Sequence, residues 1–438
     1  MMSFKSQLEK LEKNGKLLKI QKPVSKKLEA SAILNQIEPQ AVLFEKIAES
    51  EFRVAANIFP TKQSIADYLN CKVSELIPTI TKAIENPSEA QETKKAPCQE
   101  VEMETVDLDK LPILFHAAKD GGNYISSGVV IAKHPTYGQN LDFHRCMQIG
   151  KNKFSIRIVK KRHFDEFLQK QGEMPMAVCI GNGANILVAA ATSVELGKNE
   201  LEIANSLEPL QVAKAKTFDA LIPAESEFVL EGIVSLEEKA KEGPFIDLTE
   251  TQDVIRQEPV FTVTKITHRK NAIWQALLPG KLEHKILMGM PREPTIFKKV
   301  NEAGVQCLDV NVNPEGCSWL HARIKIQKKR EDDGKNAIQA AFEGHHSCKH
   351  VFVVDEDIDI YDSASMEWAF ATRFQADMGF VIKPKEKGSS LDPSAEPETS
   401  LTTKCGFDLT KPLVAKGKNF EKAEYPKIDL KKFTEKNA

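Results

Sequence analysis

The segment Glu242-Gly243-Pro244-Phe245-Ile246-Asp247 sets two carboxylates five positions apart across a Gly-Pro turn. A stiff turn can aim both at one point, where mutual repulsion favours keeping a proton on one of them as a donor near neutrality. Taken alone, the segment reads more simply as two solvated turn acids. Arg145, in Asp142-Phe143-His144-Arg145, offers the planar fork that fits a carboxylate; a structural ion pair explains a single arginine as well. His163, in Lys161-Arg162-His163-Phe164, could meet a phosphate or a metal, and a packed or solvated histidine is the plainer account. Glu200 reads as a helix-face acid. Gly181-Asn182-Gly183 could turn backbone N–H groups toward a phosphate at a helix start. The third glycine of the dinucleotide fingerprint is absent, however, and a tight turn suffices. Asp355-Glu356-Asp357-Ile358-Asp359 has the composition of a hard-metal cluster. It follows an apolar stretch, so it is read as an acidic loop at a strand end.

The elements that must position these residues are legible in outline. The chain has 438 residues, enough for two or three domains. Lys+Arg number 60 against 62 Asp+Glu, so no charge bias argues for nucleic acid or an anionic membrane. The opening residues have no apolar signal core and read as an amphipathic helix, with Phe4, Leu8 and Leu11 on one face and Gly15 as its stop. No run approaches the about 20 apolar residues of a membrane span. Eight cysteines without a Cys-x-x-Cys pair read as reduced, mostly buried thiols of a cytosolic protein. Strands are expected at 52–58, 154–159, 176–180, 228–234, 261–264, 322–327 and 351–354, and helices at 184–191 and 366–374. The polar stretch 85–104 reads as a connection, 384–400 as a mobile loop, and the tail after Lys411 as basic with a helix-like end that docks on a neighbouring subunit.

Ordered blocks then resemble the UbiD family of decarboxylases over about residues 4–412. They run from Gln139-Asn140-Leu141-Asp142-Phe143-His144-Arg145 and IGKNKFSIRIVKKRHF, through Ile222-Pro223-Ala224-Glu225 and Glu242-Gly243-Pro244-Phe245. KITHRKNAIW, KHVFVVDEDIDIYD, MEWAFATR and Lys404-Cys405-Gly406-Phe407-Asp408 follow. The resemblance implies an α+β fold: a flavin-binding split β-barrel middle domain (106–300), flanked by an N-terminal α/β domain (1–105) and a C-terminal α/β and oligomerisation domain (301–438). It implies prenylated FMN as cofactor, Mn2+ or Mg2+ held by Asn140, His163 and Glu200, and a potassium ion near Ser193 and Glu200. Lys404 looks like the lysine that meets the cofactor phosphate. Phe143, His144, Arg145 and Arg162 complete the cofactor-binding set. Arg145, Glu242 and Asp247 match the family's catalytic network, with aspartate where many members have glutamate. Val194-Glu195-Leu196-Gly197 stands where a Pro-x-Pro stretch is common.

The implied activity is non-oxidative decarboxylation of an α,β-unsaturated or aromatic acid, with a UbiX-type flavin prenyltransferase as cofactor supplier and a homo-oligomer, dimer or hexamer, as assembly. Within the family, the compact length and the Arg162-His163-Phe164 block look most like an archaeal branch. Its members turn trans-anhydromevalonate 5-phosphate into isopentenyl phosphate in a modified mevalonate pathway. A phosphorylated substrate wants extra cations, and Lys133, His134, His144 and Lys160 are the nearby candidates. A hydroxybenzoate-type decarboxylase and a non-catalytic flavin-binding homologue are the alternatives.

Overall fold

The computed structural model describes residues 2–414, with 417, 419–423, 425–429 and 433. The docking helix expected at the end of the tail falls largely outside them.

The first helix, Phe4–Lys13, starts at a reciprocal cap between Ser3 and Ser6 and buries Phe4 and Leu8. Gly15, at φ +65°, turns the chain out of it. It leads into a four-stranded sheet of Leu17–Ile20, Ala41–Phe44, Arg53–Ala56 and, from far along the chain, Ile273–Gln275. That last strand ties the N-terminal segment to the middle one, and their apolar side chains share continuous cores.

The middle of the molecule is an antiparallel sheet of nine strands. Its hydrogen-bonded path runs from Tyr124–Ile125 to Gly138–Phe143 and stays open at both ends among the described residues. Its spine is the long pair Phe228–Glu242 and Arg256–His268, bulged at Glu231/Gly232 and again at Ser235/Lys239. Bulges sharpen twist and re-aim the strand beyond them. Here they lie between the inner half of the pair and its last register pair, Glu242 and Arg256. The helix Ala184–Ala191 is buried on every side, as its run of small apolar residues requires. The glycine turn before it is packed with protein: Asn182 bonds Cys179 and Ser226, and a Cβ on Gly183 would lie 1.9 Å from the Tyr68 hydroxyl.

The C-terminal segment is a five-stranded mixed sheet in the order Gln306–Asn311, His321–Gln327, His350–Asp355, Leu401–Asp408, Phe380–Lys387. Alternate residues face opposite layers. Val351 and Val353 pack with helices Glu293–Glu302 and Asp333–Gly344, whereas Phe352 and Val354 pack with helix Ser363–Arg373. The acidic run 355–359 ends a strand. Its Asp355 and Asp357 are held by Arg373 at 3.1 and 2.7 Å, so cations of the protein answer its charge. The stretch expected to be a loop from Pro384 begins instead as strand through Lys387. That strand is at the sheet edge, where a proline without an N–H is tolerated.

Candidate active site

Three acids and two arginines come together where the long strand pair leaves the sheet. The chain exits at Glu242, turns through Gly243-Pro244, makes the two-stranded ribbon Phe245–Ile246 with Gln252–Asp253, and re-enters at Arg256. One excursion thus delivers Glu242, Asp247, Asp253 and Arg256. Gly243 has φ +94°, and a Cβ there would lie 2.8 Å from Val254 O, so only glycine fits the turn. Arg145 arrives from the neighbouring strands, between Gly138–Phe143 and Cys146–Gln148.

Glu242, fully buried, receives Arg145 Nε and Nη2, each at 2.9 Å, in a bidentate fork. Arg145 Nη1 reaches Asp247 Oδ2 at 2.5 Å, and Nη2 also reaches Asp253 at 2.8 Å. Arg256 holds the same Asp253 oxygen at 2.6 Å. Tyr124 Oη donates to Glu242 at 3.0 Å and accepts from Gly243 N at 3.0 Å, which fixes the turn to the acid. The Arg145 guanidinium lies 4.8 Å from the Phe245 ring centre. Burial works against the Arg145 charge, but the bonds and fields of Glu242, Asp247 and Asp253 outweigh it and hold the group above its ordinary value. Burial raises the Tyr124 hydroxyl, and the Glu242 charge adds to this, so Tyr124 remains a donor. Burial alone would raise Asp253; the bond from Arg256 and the charge of Arg145 bring it below the usual range.

With every acid ionised, two guanidinium charges face three carboxylates, a net of −1, so one proton neutralises the group. Asp247 has the most exposed side chain of the three, 16% against 0% for Glu242 and 7% for Asp253. It is the acid that reactants can reach.

The sequence pointed to Arg145, Glu242 and Asp247, and the structure brings all three into contact. It adds Tyr124, Asp253, Arg256 and His284. Asp253 and Arg256 sit in a polar stretch without periodicity, so only the ribbon register joins them to the site. His284 starts near the head of helix Leu282–Gly289, within the fields of Asp247 and Arg145. Burial keeps its imidazole below the ordinary value. Gly280 N donates to its Nδ1 at 3.0 Å, which leaves the ring proton on Nε2.

The residues expected to hold the cofactor are spread over the middle and C-terminal segments. Asn140 and Glu200 are both buried, and the Glu200 carboxylate accepts from Leu141 N at 2.9 Å, beside Asn140. Asn140 Nδ2 has no hydrogen-bond partner. Glu200 has no cationic side-chain partner among the described residues, and burial pushes its carboxyl up to about 8. A buried acid without a counter-ion suits a hard divalent cation, and the Asn140 side-chain oxygen is the ligand its neighbour could offer; among the described residues no group of three His, Cys, Asp or Glu side chains is gathered for a metal. His163 is half-buried at the start of helix His163–Gln171, with Arg162 exposed at its cap. Phe143 packs against the apolar core. His144 is turned inward, Nδ1 toward Arg157 O at 3.0 Å and Nε2 3.0 Å from Asp142. Ser193 is exposed and bonded by Arg292; Lys404 is buried with its amine on His346 O at 2.6 Å. Of the extra cations, Lys133 pairs with Asp219 and Lys160 with Asp165, while His134 accepts from Thr136 N.

Known proteins resemble the chain along nearly its whole length. Three family models match in order: the N-terminal, Rift-related and C-terminal domains of 3-octaprenyl-4-hydroxybenzoate carboxy-lyase, over residues 8–84, 89–282 and 285–409. The chain is 39% identical over 405 residues to a Methanothermobacter thermautotrophicus protein named anhydromevalonate phosphate decarboxylase, covering 91% of this chain and 95% of that protein. A Methanosarcina mazei protein of the same name is 38% identical over 97% of this chain and all of its own length. Among solved structures, the UbiD-class enzyme HmfF from Pelotomaculum thermopropionicum, in complex with FMN, superimposes with a TM-score of 0.95 at 33% identity, covering 99% of this chain and 100% of that one. An evolved dimeric form of HmfF, in complex with prFMN, gives 0.91 at 31% identity, with the same coverage of both chains. Fold and family are those of a carboxy-lyase. The chain belongs to the UbiD family. Among the described residues no helix is long and apolar enough to cross a membrane.

Proposed function

We propose that this carboxy-lyase uses prenylated FMN to decarboxylate trans-anhydromevalonate 5-phosphate, giving isopentenyl phosphate and CO2 in a modified mevalonate pathway. The observation that carries the reaction type is Arg145 clamped by Glu242 with its Nη1 turned to the more exposed Asp247. The names of relatives at 36–39% identity support the acid.

Asn140, Glu200 and His163 would hold Mn2+ or Mg2+ against the cofactor phosphate, with potassium near Ser193 and Lys404 on the phosphate itself. When bound, prenylated FMN supplies the electron sink for the carbon that loses CO2. The protein's part follows from the bonds described. Glu242 fixes the plane of Arg145. A substrate carboxylate that takes Nη1 displaces Asp247 from its 2.5 Å bond. Asp247, released beside Glu242 and Asp253, is the acid placed to carry a proton. After CO2 leaves, Asp247 gives that proton to the carbon. Tyr124 and Phe245 close one side against water.

The cofactor supplier is a UbiX-type prenyltransferase, the setting is the cytoplasm, the assembly is a dimer or hexamer, and domain boundaries fall near 105 and 300. The family's name, 3-octaprenyl-4-hydroxybenzoate carboxy-lyase, keeps a hydroxybenzoate-type acid as the second reading.

The test is CO2 release by protein co-produced with the prenyltransferase, offered anhydromevalonate phosphate and a hydroxybenzoate in parallel. Turnover of the phosphate substrate, lowered about 100-fold or more in Asp247→Asn, is expected. Turnover of the aromatic acid alone would overturn the substrate. No release from either acid, with cofactor bound, would overturn the proposed reaction.

A further inference from the structure

We infer that Asp120 is a positioning residue for the proton donor: its carboxylate holds the Ile246 amide, and so sets where Asp247 stands once a substrate has taken its place on Arg145. The inference rests on the function proposed above.

The segment 116–124 lies under the catalytic turn and touches each residue from Glu242 to Ile246. Tyr124 Oη meets Glu242 and Gly243 N, each at 3.0 Å. Gly121 N donates to Pro244 O at 2.8 Å. The two backbones are so close that a Cβ on Gly121 would lie 2.2 Å from Gly243 O. The Phe245 ring centre is 4.3 Å from that of Tyr124 and 6.3 Å from that of His116. Tyr124, Phe245 and Met147 form a small apolar cluster of their own. Ile246 N donates to Asp120 Oδ1 at 3.4 Å. That is the last of these contacts before Asp247.

Beyond Ile246 the ribbon is held mainly by itself. Asp247 N bonds Thr251 O at 3.1 Å, and Asp247 Oδ1 accepts from Leu248 N at 2.7 Å. Among the described residues the one hydrogen-bond partner of the Asp247 carboxylate from outside the ribbon is Arg145. A substrate carboxylate on Nη1 removes that partner. The Ile246 amide on Asp120 is then the nearest tether that keeps Asp247 within reach of the reacting carbon.

The residue type fits the task. Asp120 is buried and makes no ion pair among the described residues; its other oxygen, Oδ2, accepts from Ala117 N at 3.0 Å. Burial raises its carboxyl, and the Ala117 and Ile246 amides and the charge of Arg145 offset this only in part. A buried acid without a cation is costly. Two backbone amides, one on each oxygen, require two acceptors, and asparagine supplies only one.

The test compares wild type, Asp120→Asn and Asp120→Ala in kcat and KM for CO2 release, in FMN affinity by flavin fluorescence, and in amide hydrogen exchange of the peptide spanning 242–248. In Asp120→Ala, kcat should fall about 10- to 100-fold while KM and FMN affinity stay within about threefold. Asp120→Asn should lose less. Exchange at 242–248 should quicken at least about tenfold, with the inner strands 228–234 and 261–266 unchanged. A kcat within about twofold of wild type in Asp120→Ala would overturn the inference. So would parallel losses of kcat, FMN affinity and protection throughout the chain, which mark a merely structural residue. Should Asp120→Ala fail to fold, the nearly isosteric Asp120→Asn gives the same readouts. A wild type that binds FMN but releases no CO2 counts against the functional reading; exchange at 242–248 then decides the tether, and unchanged exchange in the variants removes it.

Discussion

Arg145 and Arg292 occupy opposite electrostatic surroundings in one molecule. Arg145 is surrounded by acids that the protein itself supplies, and each of its nitrogens donates to a carboxylate. Among the described residues Arg292 meets a hydroxyl, a carbonyl and a tryptophan face, with no acid partner. A site whose charges are answered internally is rigid before anything binds, which suits orientation and proton handling. A site with surplus charge has affinity still to be satisfied, which suits capture of an anion. The helix Leu282–Gly289 and the turn after it link the two, with His284 at one end and Arg292 just past the other.

The sharpest way to break this contrast is to replace each arginine by methionine. Arg145→Met strands Glu242, wholly buried, and Asp247, and leaves Asp253 to Arg256 alone. It should cost about 3–5 kcal/mol of stability and at least about 1,000-fold in activity, read by denaturant unfolding and CO2 release. Arg292→Met removes repulsion as well as contacts and should shift stability by less than about 1 kcal/mol. Equal destabilisation by both would show that Arg292 is a structural residue.

Glu200→Gln tests whether the third charged feature, an acid without a cation, is a ligand site. Bound Mn2+, measured by elemental analysis, should fall at least about tenfold, and FMN affinity should fall with it. Retention of both at wild-type levels would exclude Glu200 as a ligand.

Glu283 tests the helix between the two arginines. Its buried carboxylate accepts from Ile58 and Phe59 N, and burial pushes its carboxyl up to about 7. The folded protein therefore keeps a proton there that the unfolded chain, near 4.5, has lost, and stability falls as pH rises between those values. Wild type should lose of order 2 kcal/mol from pH 5 to pH 7 relative to Glu283→Gln, measured by urea unfolding. A pH-independent difference would contradict the shift. The smallest effect is expected for Tyr124→Phe, which removes one donor from Glu242 and one acceptor from Gly243: about 1 kcal/mol of stability, with a lower kcat at unchanged FMN affinity. No change in kcat would separate Tyr124 from the reaction.

Much of the fold could be read in advance where the pattern is strictly local. The helix Ala184–Ala191 has the bounds that its apolar run implies, alternation marks strands within Lys153–Ile156 and Arg256–His268, and an apolar run marks His350–Asp355. The extent of the long strands could not be read, because their outer halves are polar and are held by partners rather than by burial. The glycine turn and the acidic run 355–359 illustrate the converse: motif-like composition that the fold fills with Tyr68 and answers with Arg373.

The sequence by itself determined the chemistry available: a Gly-Pro turn between two acids, an arginine with the right fork, a family resemblance along the chain and no excess of charge. Local propensity and residue type act over a few positions, so these survive without a structure. Only tertiary structure decided which charges meet. Arg145 finds Glu242 and Asp253 from about 100 positions away, and Arg292 has no acid partner among the described residues although the chain holds 62. Pairing of charges depends on distance in space and on exclusion of water, and neither is encoded at any single position of the chain.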